Sequence, residues 1–189
     1  MTTRNPIQRV RAVVALVFLL GAASASAVPL VDPWTISGPG TTSSTQTAFN
    51  EWELDYNLNP AGFSDVTWTV SGGPVSTDGD YTFDWNYSGF HAFFAVTAFL
   101  ISSDGTTLVD VGPQNCCTAP SGGFNYNGSY TFAGVSAGDL IGFTLGGSNF
   151  DSNNVLSGTL TLTQDVPAPA PLALIALGLL ALARARARS

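Results

Sequence analysis

The fold is decided by a stretch in which polar and aromatic residues alternate without exception: Asp80-Tyr81-Thr82-Phe83-Asp84-Trp85-Asn86-Tyr87. Successive side chains of a β-strand point to opposite faces of a sheet, so this period of two gives one aromatic face and one polar face. The aromatic face has to be buried against a second layer, while the polar face contacts water. The stretch therefore predicts a strand of an antiparallel sheet with one covered face.

Further short strands are expected on both sides of this stretch. Val66–Val70 alternates in the same way. The run Phe90–Ile101 is apolar on both parities and rich in aromatic and β-branched residues, which predicts a central strand rather than a buried helix. A turn at Ser102–Gly105 is expected to lead into the strand Thr107–Val111. More strands are expected at 129–133, 139–145 and 155–163.

Together these segments predict an all-β fold. About eight short strands, separated by turns rich in Gly, Asn and Asp, are typical of an antiparallel β-sandwich of the jelly-roll kind. The Thr-, Ser- and Gly-rich stretch Ser37–Thr47 is expected to be a long loop of this domain. Pro167, Pro169 and Pro171 cannot continue a central strand, so the predicted domain covers residues 28–165.

The charges of the 189-residue chain are strongly segregated. All six basic residues are arginines at the two ends, whereas 28–165 holds all thirteen acidic residues, which gives it a charge of 0 − 13 = −13. An acidic surface is repelled by phosphate, and no Lys or Arg is present in this stretch to bind a nucleotide. Nucleic acid is therefore excluded as a partner of the domain.

The first 27 residues are typical of a secretory signal peptide with a short signal helix. Arginines at positions 4, 9 and 11 precede the apolar run Ala12–Leu20, and the small-residue motif Ala25-Ser26-Ala27 follows it. An apolar run of this length is too short to span a bilayer. We expect cleavage between Ala27 and Val28, so that Val28 begins the mature chain.

The C-terminal segment 166–189 has three parts. Its proline box, 166–171, begins Val166-Pro167-Ala168-Pro169 and is followed by the apolar segment 172–183. The basic tail, 184–189, contains Arg184, Arg186 and Arg188. Eighteen helical residues from the start of the box rise about 27 Å, close to the ~30 Å hydrocarbon core of a bilayer. This predicts a short transmembrane helix, whose basic end stays cytoplasmic and leaves the acidic domain outside.

This order of proline box, short apolar helix and terminal arginines resembles the PEP-CTERM sorting signal. The usual Pro-Glu-Pro box is here Pro167-Ala168-Pro169. The resemblance implies a protein exported by a Gram-negative bacterium that makes exopolysaccharide, processed at the membrane by the transpeptidase-like enzyme exosortase. It would lie in the cell-envelope membrane during sorting, and afterwards at the cell surface or in the extracellular matrix. A plain C-terminal membrane anchor without processing is the alternative.

No catalytic residue is assigned from the sequence. His91 is the single histidine, and because histidine catalysis needs a nucleophile and an orienting acid, a structural role is expected. The motifs H-E-x-x-H and C-x-x-C are absent. Glu51 and Glu53 alternate with Trp52 and Leu54 along an expected strand, so the two glutamates share one face. We expect the face with the glutamates to lie on the solvent side. Paired-carboxylate glycosidase chemistry nevertheless stays an alternative, because thirteen acidic residues offer many pairs.

The two cysteines, Cys116 and Cys117, are adjacent. Export to an oxidising compartment favours a disulfide, whereas a bond between neighbours closes a strained ring. Three states are open: a disulfide between the two, two free thiols, and a bond to another chain.

Two kinds of binding site are suggested by the acidic loops. Asp78 and Asp80, and separately Asp151 with its neighbouring asparagines, offer the hard oxygen ligands that Ca²⁺ prefers, although ordinary turns use the same residues. Trp34 or Trp52 beside such loops would be able to stack on sugar rings, although tryptophans of a sandwich are more often in the core. Ca²⁺ is the one cofactor suggested, and a glycan the one ligand class.

The sequence therefore favours an exported, non-enzymatic protein of the cell surface or exopolysaccharide matrix, with an exosortase-like enzyme and the membrane as partners. The alternative is a carbohydrate-binding module of that matrix, with or without assistance by Ca²⁺. A polysaccharide hydrolase is the third hypothesis.

Overall fold

The computed structural model describes residues 29–59, 64–91, 95–111, 122–149 and 155–166, together with Arg184. Ten strands lie in these ranges: β1 (Trp34–Ser37), β2 (Thr41–Ala48), β3 (Glu51–Leu58), β4 (Ser64–Gly72), β5 (Gly79–His91), β6 (Ala95–Ser102), β7 (Thr107–Asp110), β8 (Gly122–Val135), β9 (Ile141–Asn149) and β10 (Leu156–Gln164). The described residues between 29 and 166 contain no helix. The predicted all-β class is confirmed.

The ten strands form two antiparallel sheets. Sheet 1 has the order β1-β4-β9-β6-β7, and sheet 2 has the order β2-β3-β10-β5-β8. In sheet 2 the C-terminal strand β10 lies between β3 and β5, and in sheet 1 β9 lies between β4 and β6. Segments far apart in the chain are thereby brought side by side, and this is what assembles the candidate site described below.

The alternating stretch 80–87 lies in β5 and behaves as its pattern predicts. Tyr81, Phe83, Trp85 and Tyr87 are buried, while the intervening polar residues point away from the core. β10 alternates in the same way, with Leu156, Leu160 and Leu162 buried. The inner face of sheet 2 is therefore aromatic and aliphatic, and its outer face is polar.

Aromatic side chains connect the two sheets through the core. Tyr56 of β3 stacks on Trp68 of β4, with ring centroids 3.8 Å apart and an interplanar angle of 17°. Trp34 of β1 packs edge-on against Phe83 of β5, at 5.3 Å. An edge-to-face pair such as Trp34 and Phe83 adds stability beyond the apolar area that it buries.

Two polar contacts close the sandwich at its margins. The buried side chain of Gln164, at the end of β10, accepts a hydrogen bond from the Val31 amide at 2.8 Å and donates one to the Pro29 carbonyl at 3.0 Å. Asp104, in the β6–β7 turn of sheet 1, accepts bonds from Ser102 and from Tyr130 of sheet 2. These two hydroxyl donors, Ser102 first, lower the pKa of Asp104 to about 2.

Two expectations about individual segments are wrong. Ser37–Thr47 is not a long loop, because Thr41–Ala48 forms β2. As an edge strand, β2 is exposed on both faces, and its polar sequence gives no alternation to detect. Phe90–Ile101 is not one strand: β5 ends at His91 in sheet 2, and β6 begins at Ala95 in sheet 1. The run is apolar on both parities because it contains the end of one strand and the start of another, and these two strands belong to different sheets.

The remaining expected strands are present, although their ends differ from those expected. The strand at 66–70 lies within β4, and the turn at 102–105 leads into β7. The segments at 129–133, 139–145 and 155–163 correspond to β8, β9 and β10, which extend to Gly122, Asn149 and Gln164 respectively.

The predicted signal peptide, the proline box beyond Val166 and the apolar segment 172–183 lie outside the described residues. Within the described part of the chain, no helix is both long and apolar enough to cross a bilayer. Arg184 of the basic tail is helical and exposed.

Candidate functional site

The outer face of sheet 2 is almost entirely polar. Strand register brings hydroxyl, amide and carboxylate side chains of β2, β3, β10, β5 and β8 onto it. The acidic members of this face include Glu51, Glu53 and Asp55 of β3, and Asp84 of β5. One large apolar side chain also points outward, that of Phe90 near the end of β5.

A groove of about 500 Å³ crosses β2, β3, β10 and β5 on this face. Two rows of side chains border it. The Phe90 row consists of Thr41, Asn57, Ser157 and Phe90, and the Asp55 row consists of Ser43, Asp55, Thr159 and Ser88. Three strand spacings give the groove a length of ~14 Å, and the two-residue rise along each strand separates the rows by ~7 Å.

The floor of the groove exists because the row between these two points inward. It consists of Tyr56, Gly158 and Gly89, which are register partners on β3, β10 and β5. A Cβ at Gly158 would lie only 2.5 Å from the Tyr56 hydroxyl oxygen, so glycine is what allows the tyrosine ring to lie against the sheet there. The ligand side of the floor is therefore bare backbone.

Asp55 is the charged residue of the groove. Its Oδ2 accepts a hydrogen bond from Ser43 Oγ at 3.1 Å, and its Oδ1 accepts one from Thr159 Oγ1 at 2.6 Å. The two hydroxyls lie on the neighbouring strands on either side, so they hold the carboxylate in one orientation. Because each oxygen uses only one of its lone-pair sites, both retain the capacity to accept a further bond.

Phe90 supplies an apolar surface at one end of the groove. It is 46% exposed, and its register partners are Ser157 and Gly123, which are too small to cover the ring. A partly exposed aromatic ring among hydrogen-bonding groups is the usual composition of a site that binds a small organic ligand.

A buried tyrosine pair holds the floor in place from below. The hydroxyls of Tyr56 and Tyr87 are 2.7 Å apart, and Tyr87 also lies 3.5 Å from the Gly146 carbonyl of sheet 1, to which it donates. Burial raises the pKa of both tyrosines, since the charged form cannot be solvated there. The pair is consequently neutral and forms a fixed polar link between the sheets.

The residues singled out for Ca²⁺ have structural partners. Asp78 Oδ1 accepts a bond from the Ala137 amide and Asp80 Oδ1 one from the Gly134 amide, both at 2.7 Å, so the two acids hold the end of β8 and the turn that follows it. Asp151 lies outside the described residues. In the ranges that the structure describes, no three His, Cys, Asp or Glu side chains come together as a metal site. Ca²⁺ binding stays a prediction.

The tryptophans considered for sugar stacking are not on the surface of the groove. Trp34 is buried in the core, and Trp52 is half-buried and packs against it. The exposed aromatic side chain at the groove is Phe90, which the sequence reasoning missed because it assigned the run from Phe90 to Ile101 to a fully covered strand. Its position at the end of the 80–87 alternation, on the polar parity, was the available signal.

Several predicted sites lie beyond the described residues: the signal cleavage site at Ala25, Ala27 and Val28, the cysteines Cys116 and Cys117, and Pro167, Ala168, Pro169, Arg186 and Arg188 of the sorting signal. His91 is described through its backbone, which pairs with Leu156 of β10 and Gly122 of β8. Glu51 lies on the outer face, where Thr47 Oγ1 donates to it at 2.6 Å.

No protein-family model and no curated protein matches the chain. Among solved structures, TmCBM61 in complex with β-1,4-galactotriose has 13% identity and a TM-score of 0.38, over 72% of this chain and 90% of that chain. A structure described as "CBM4 structure and function" has 18% identity and a TM-score of 0.31, over 70% and 91%. The N-terminal cellulose-binding domain of β-1,4-glucanase C from Cellulomonas fimi has 12% identity and a TM-score of 0.32, over 71% and 89%. At these values the similarity concerns general architecture, and the ligands belong to those proteins.

Proposed function

We propose that this domain is a carbohydrate-binding module whose binding site is the sheet-2 groove. The observation that carries the proposal is the combination of the exposed Phe90 ring with a floor of bare backbone and borders of hydroxyl, amide and carboxylate groups. A sugar ring offers an apolar C–H face and a rim of hydroxyls. The groove has an aromatic surface for the first and hydrogen-bonding partners for the second.

The number and the hydrogen bonding of the carboxylates in the groove favour binding over hydrolysis. Asp55 is the one carboxylate among the groove residues, and glycoside hydrolysis in its usual form needs two flanking the scissile bond. Asp55 is also held by two hydroxyl donors as an acceptor. A hydrolase would have to release reducing ends from the polysaccharide that it binds, which a reducing-sugar assay detects.

The test compares two exposed phenylalanines. Phe90→Ala removes the apolar surface of the groove, whereas Phe49→Ala removes an equally large ring, 74% exposed, from the turn between β2 and β3. Binding of the purified protein to a panel of neutral polysaccharides is measured by affinity electrophoresis. We expect Phe90→Ala to weaken binding by roughly tenfold or more, equivalent to about 1.4 kcal/mol, with Phe49→Ala unchanged.

Equal losses in both variants would locate binding elsewhere, and the groove would be the wrong site. A protein that binds none of the polysaccharides would contradict the carbohydrate-binding function itself.

We further propose that the protein is exported and sorted by its two terminal segments, to the cell surface or the exopolysaccharide matrix. This rests on the sequence: the signal-peptide pattern before Val28, and the proline box, apolar segment and arginines of 166–189. The intact mass of the mature protein from its native host would give both ends at once. A mass that retains residues 1–27 would contradict export by a cleaved signal, and one that retains 166–189 would indicate a permanent anchor without processing.

A further inference from the structure

We infer that the sheet-2 groove selects uncharged glycans, and that Asp55 is the residue that excludes chains bearing carboxylate, sulfate or phosphate groups. This rests on the proposed function, because it names the substrate class of the same groove. Three observations support it: the direction of the hydrogen bonds beside Asp55, the acceptor sites that its carboxylate keeps free, and the positions of the basic residues in the sequence.

The first observation concerns the direction of the hydrogen bonds in the Asp55 row. A Ser or Thr hydroxyl has a single proton to donate and two lone pairs. Ser43 and Thr159 both donate that proton to Asp55, at 3.1 and 2.6 Å. While these bonds hold, each of the two hydroxyls can therefore only accept a hydrogen bond from a ligand.

The second observation concerns the carboxylate itself. An ionised carboxyl group has two oxygens with about four lone-pair sites and no donor. Two sites are taken by the two hydroxyls, and the remainder are directed away from them. Three consecutive groups, Ser43, Asp55 and Thr159, thus accept and do not donate, so the ligand alongside them has to supply the protons. The hydroxyls of a neutral sugar do so, whereas a carboxylate or sulfate group carries acceptors alone.

The third observation concerns charge compensation. A ligand anion near Asp55 needs a cation between the two charges to offset their repulsion, because two like charges a few ångströms apart repel each other even in water. The chain has no Lys or Arg between residues 28 and 165. The outer face of sheet 2 adds Glu51, Glu53 and Asp84 to the negative side instead. No lysine or arginine of the domain is therefore present to offset the charge of an anionic glycan bound in this groove.

The experiment uses two pairs of polymers that share a backbone and differ in charge: hydroxyethyl cellulose with carboxymethyl cellulose, and dextran with dextran sulfate. Affinities are measured for the wild-type protein, for Asp55→Asn and for Asp84→Asn. Asp55→Asn removes the charge from the groove at nearly constant shape. Asp84→Asn is the matched control, because it changes the net charge equally on the same face but outside the groove lining.

We expect the wild type to bind the neutral member of a pair at least roughly tenfold more tightly than the anionic one, and Asp55→Asn to reduce this ratio. Asp84→Asn should keep it. Raising NaCl should strengthen binding of the anionic polymer to the wild type and leave the neutral one unaffected, because salt screens repulsion between charges. This salt series tests the inference without any substitution.

Equal affinities for the two members of a pair, or a ratio that Asp55→Asn leaves unchanged, would overturn the selection by Asp55 while the carbohydrate-binding function stands. If the wild type binds neither member of either pair, the proposed function and the inference fall together for these backbones.

Discussion

Phe99 and Phe90 point outward from the two layers of the same sandwich, but they are used differently. On sheet 1, Phe99 of β6 is paired with Gly146 of β9, and its ring fills the space where a Cβ of that glycine would lie. On sheet 2, the glycines beside the groove, Gly89 and Gly158, turn their empty side inward. The Phe99 ring thus covers the outer surface of sheet 1, whereas the Phe90 ring on sheet 2 stays exposed and can contact a ligand.

Where a ring lies over an outward-facing glycine, as Phe99 lies over Gly146, the sheet face is closed at that point. An outer glycine alone is not sufficient, because Gly123, the register partner of Phe90, leaves the Phe90 ring exposed. A glycine on the inner parity accepts a core tyrosine, as Gly158 accepts Tyr56, and leaves bare backbone outside. Since Tyr87 donates to the Gly146 carbonyl, the closed region of sheet 1 and the floor of the groove are linked through the core.

The largest effect is expected where the groove floor is supported from below. Trp68→Ala removes the fully buried ring on which Tyr56 stacks, and should lower the free energy of unfolding by about 3–5 kcal/mol. Phe99→Ala removes a half-buried ring on the closed face and should cost about 1 kcal/mol, because much of its surface is already wet. Urea denaturation measures both. Similar losses would mean that the ring covering the closed face supports the fold as much as the core ring beneath the groove floor.

A feature of the fold or of the groove could be predicted from the sequence where it depends on a single segment of the chain. The alternation in 80–87 predicts β5 because one strand is enough to show which face is buried. The same reasoning fails for β2, whose residues are exposed on both faces. The groove needs the register of residues near 42, 56, 89 and 158, which are far apart in the chain and meet through the positions of β3 and β10. No pattern within one segment contains that information.

The next effect concerns two glycines that face outward, Gly146 on sheet 1 and Gly123 on sheet 2. Gly146→Ala places a Cβ where the Phe99 ring lies, and should cost about 1–3 kcal/mol as the ring is displaced. Gly123→Ala, beside Phe90 on β8, meets only the Gly89 carbonyl at 3.5 Å and should stay within about 0.5 kcal/mol of wild type. Thermal unfolding of the two variants decides. If Gly123→Ala is the more costly, glycine placement is not what separates the faces.

A smaller effect concerns the tyrosine pair that links the two regions. Because burial raises the pKa of Tyr56 and Tyr87 above the usual value of 10.0, the folded protein keeps protons that the unfolded chain releases. Their contribution to stability should be complete below about pH 10 and fall as the pH rises further. The double variant Tyr56→Phe with Tyr87→Phe should lack this loss, whereas Tyr126→Phe on β8 should retain it. Denaturation at pH 8 to about 11 tests this.

The smallest effect concerns Ca²⁺ at Asp78 and Asp80, which lie at the start of β5 and outside the groove lining. If millimolar Ca²⁺ binds there with a dissociation constant near 1 mM, the gain is about 0.4 kcal/mol. The melting temperature should then rise more in CaCl₂ than in NaCl of equal ionic strength, and less so in Asp78→Asn. Identical shifts in the two salts would leave charge screening as the whole effect.

The most direct test of the account is to titrate the isotopically labelled mature protein with a neutral oligosaccharide that binds, and to follow the backbone amide resonances by NMR. We expect the perturbed amides to be those around residues 41–43, 55–57, 88–90 and 157–159 on the open face of sheet 2. The amides of Thr67, Thr69 and Thr144, on the closed face of sheet 1, should not move. Perturbations confined to sheet 1, or to the loops at the ends of the sandwich, would contradict the assignment of the groove as the glycan-binding site.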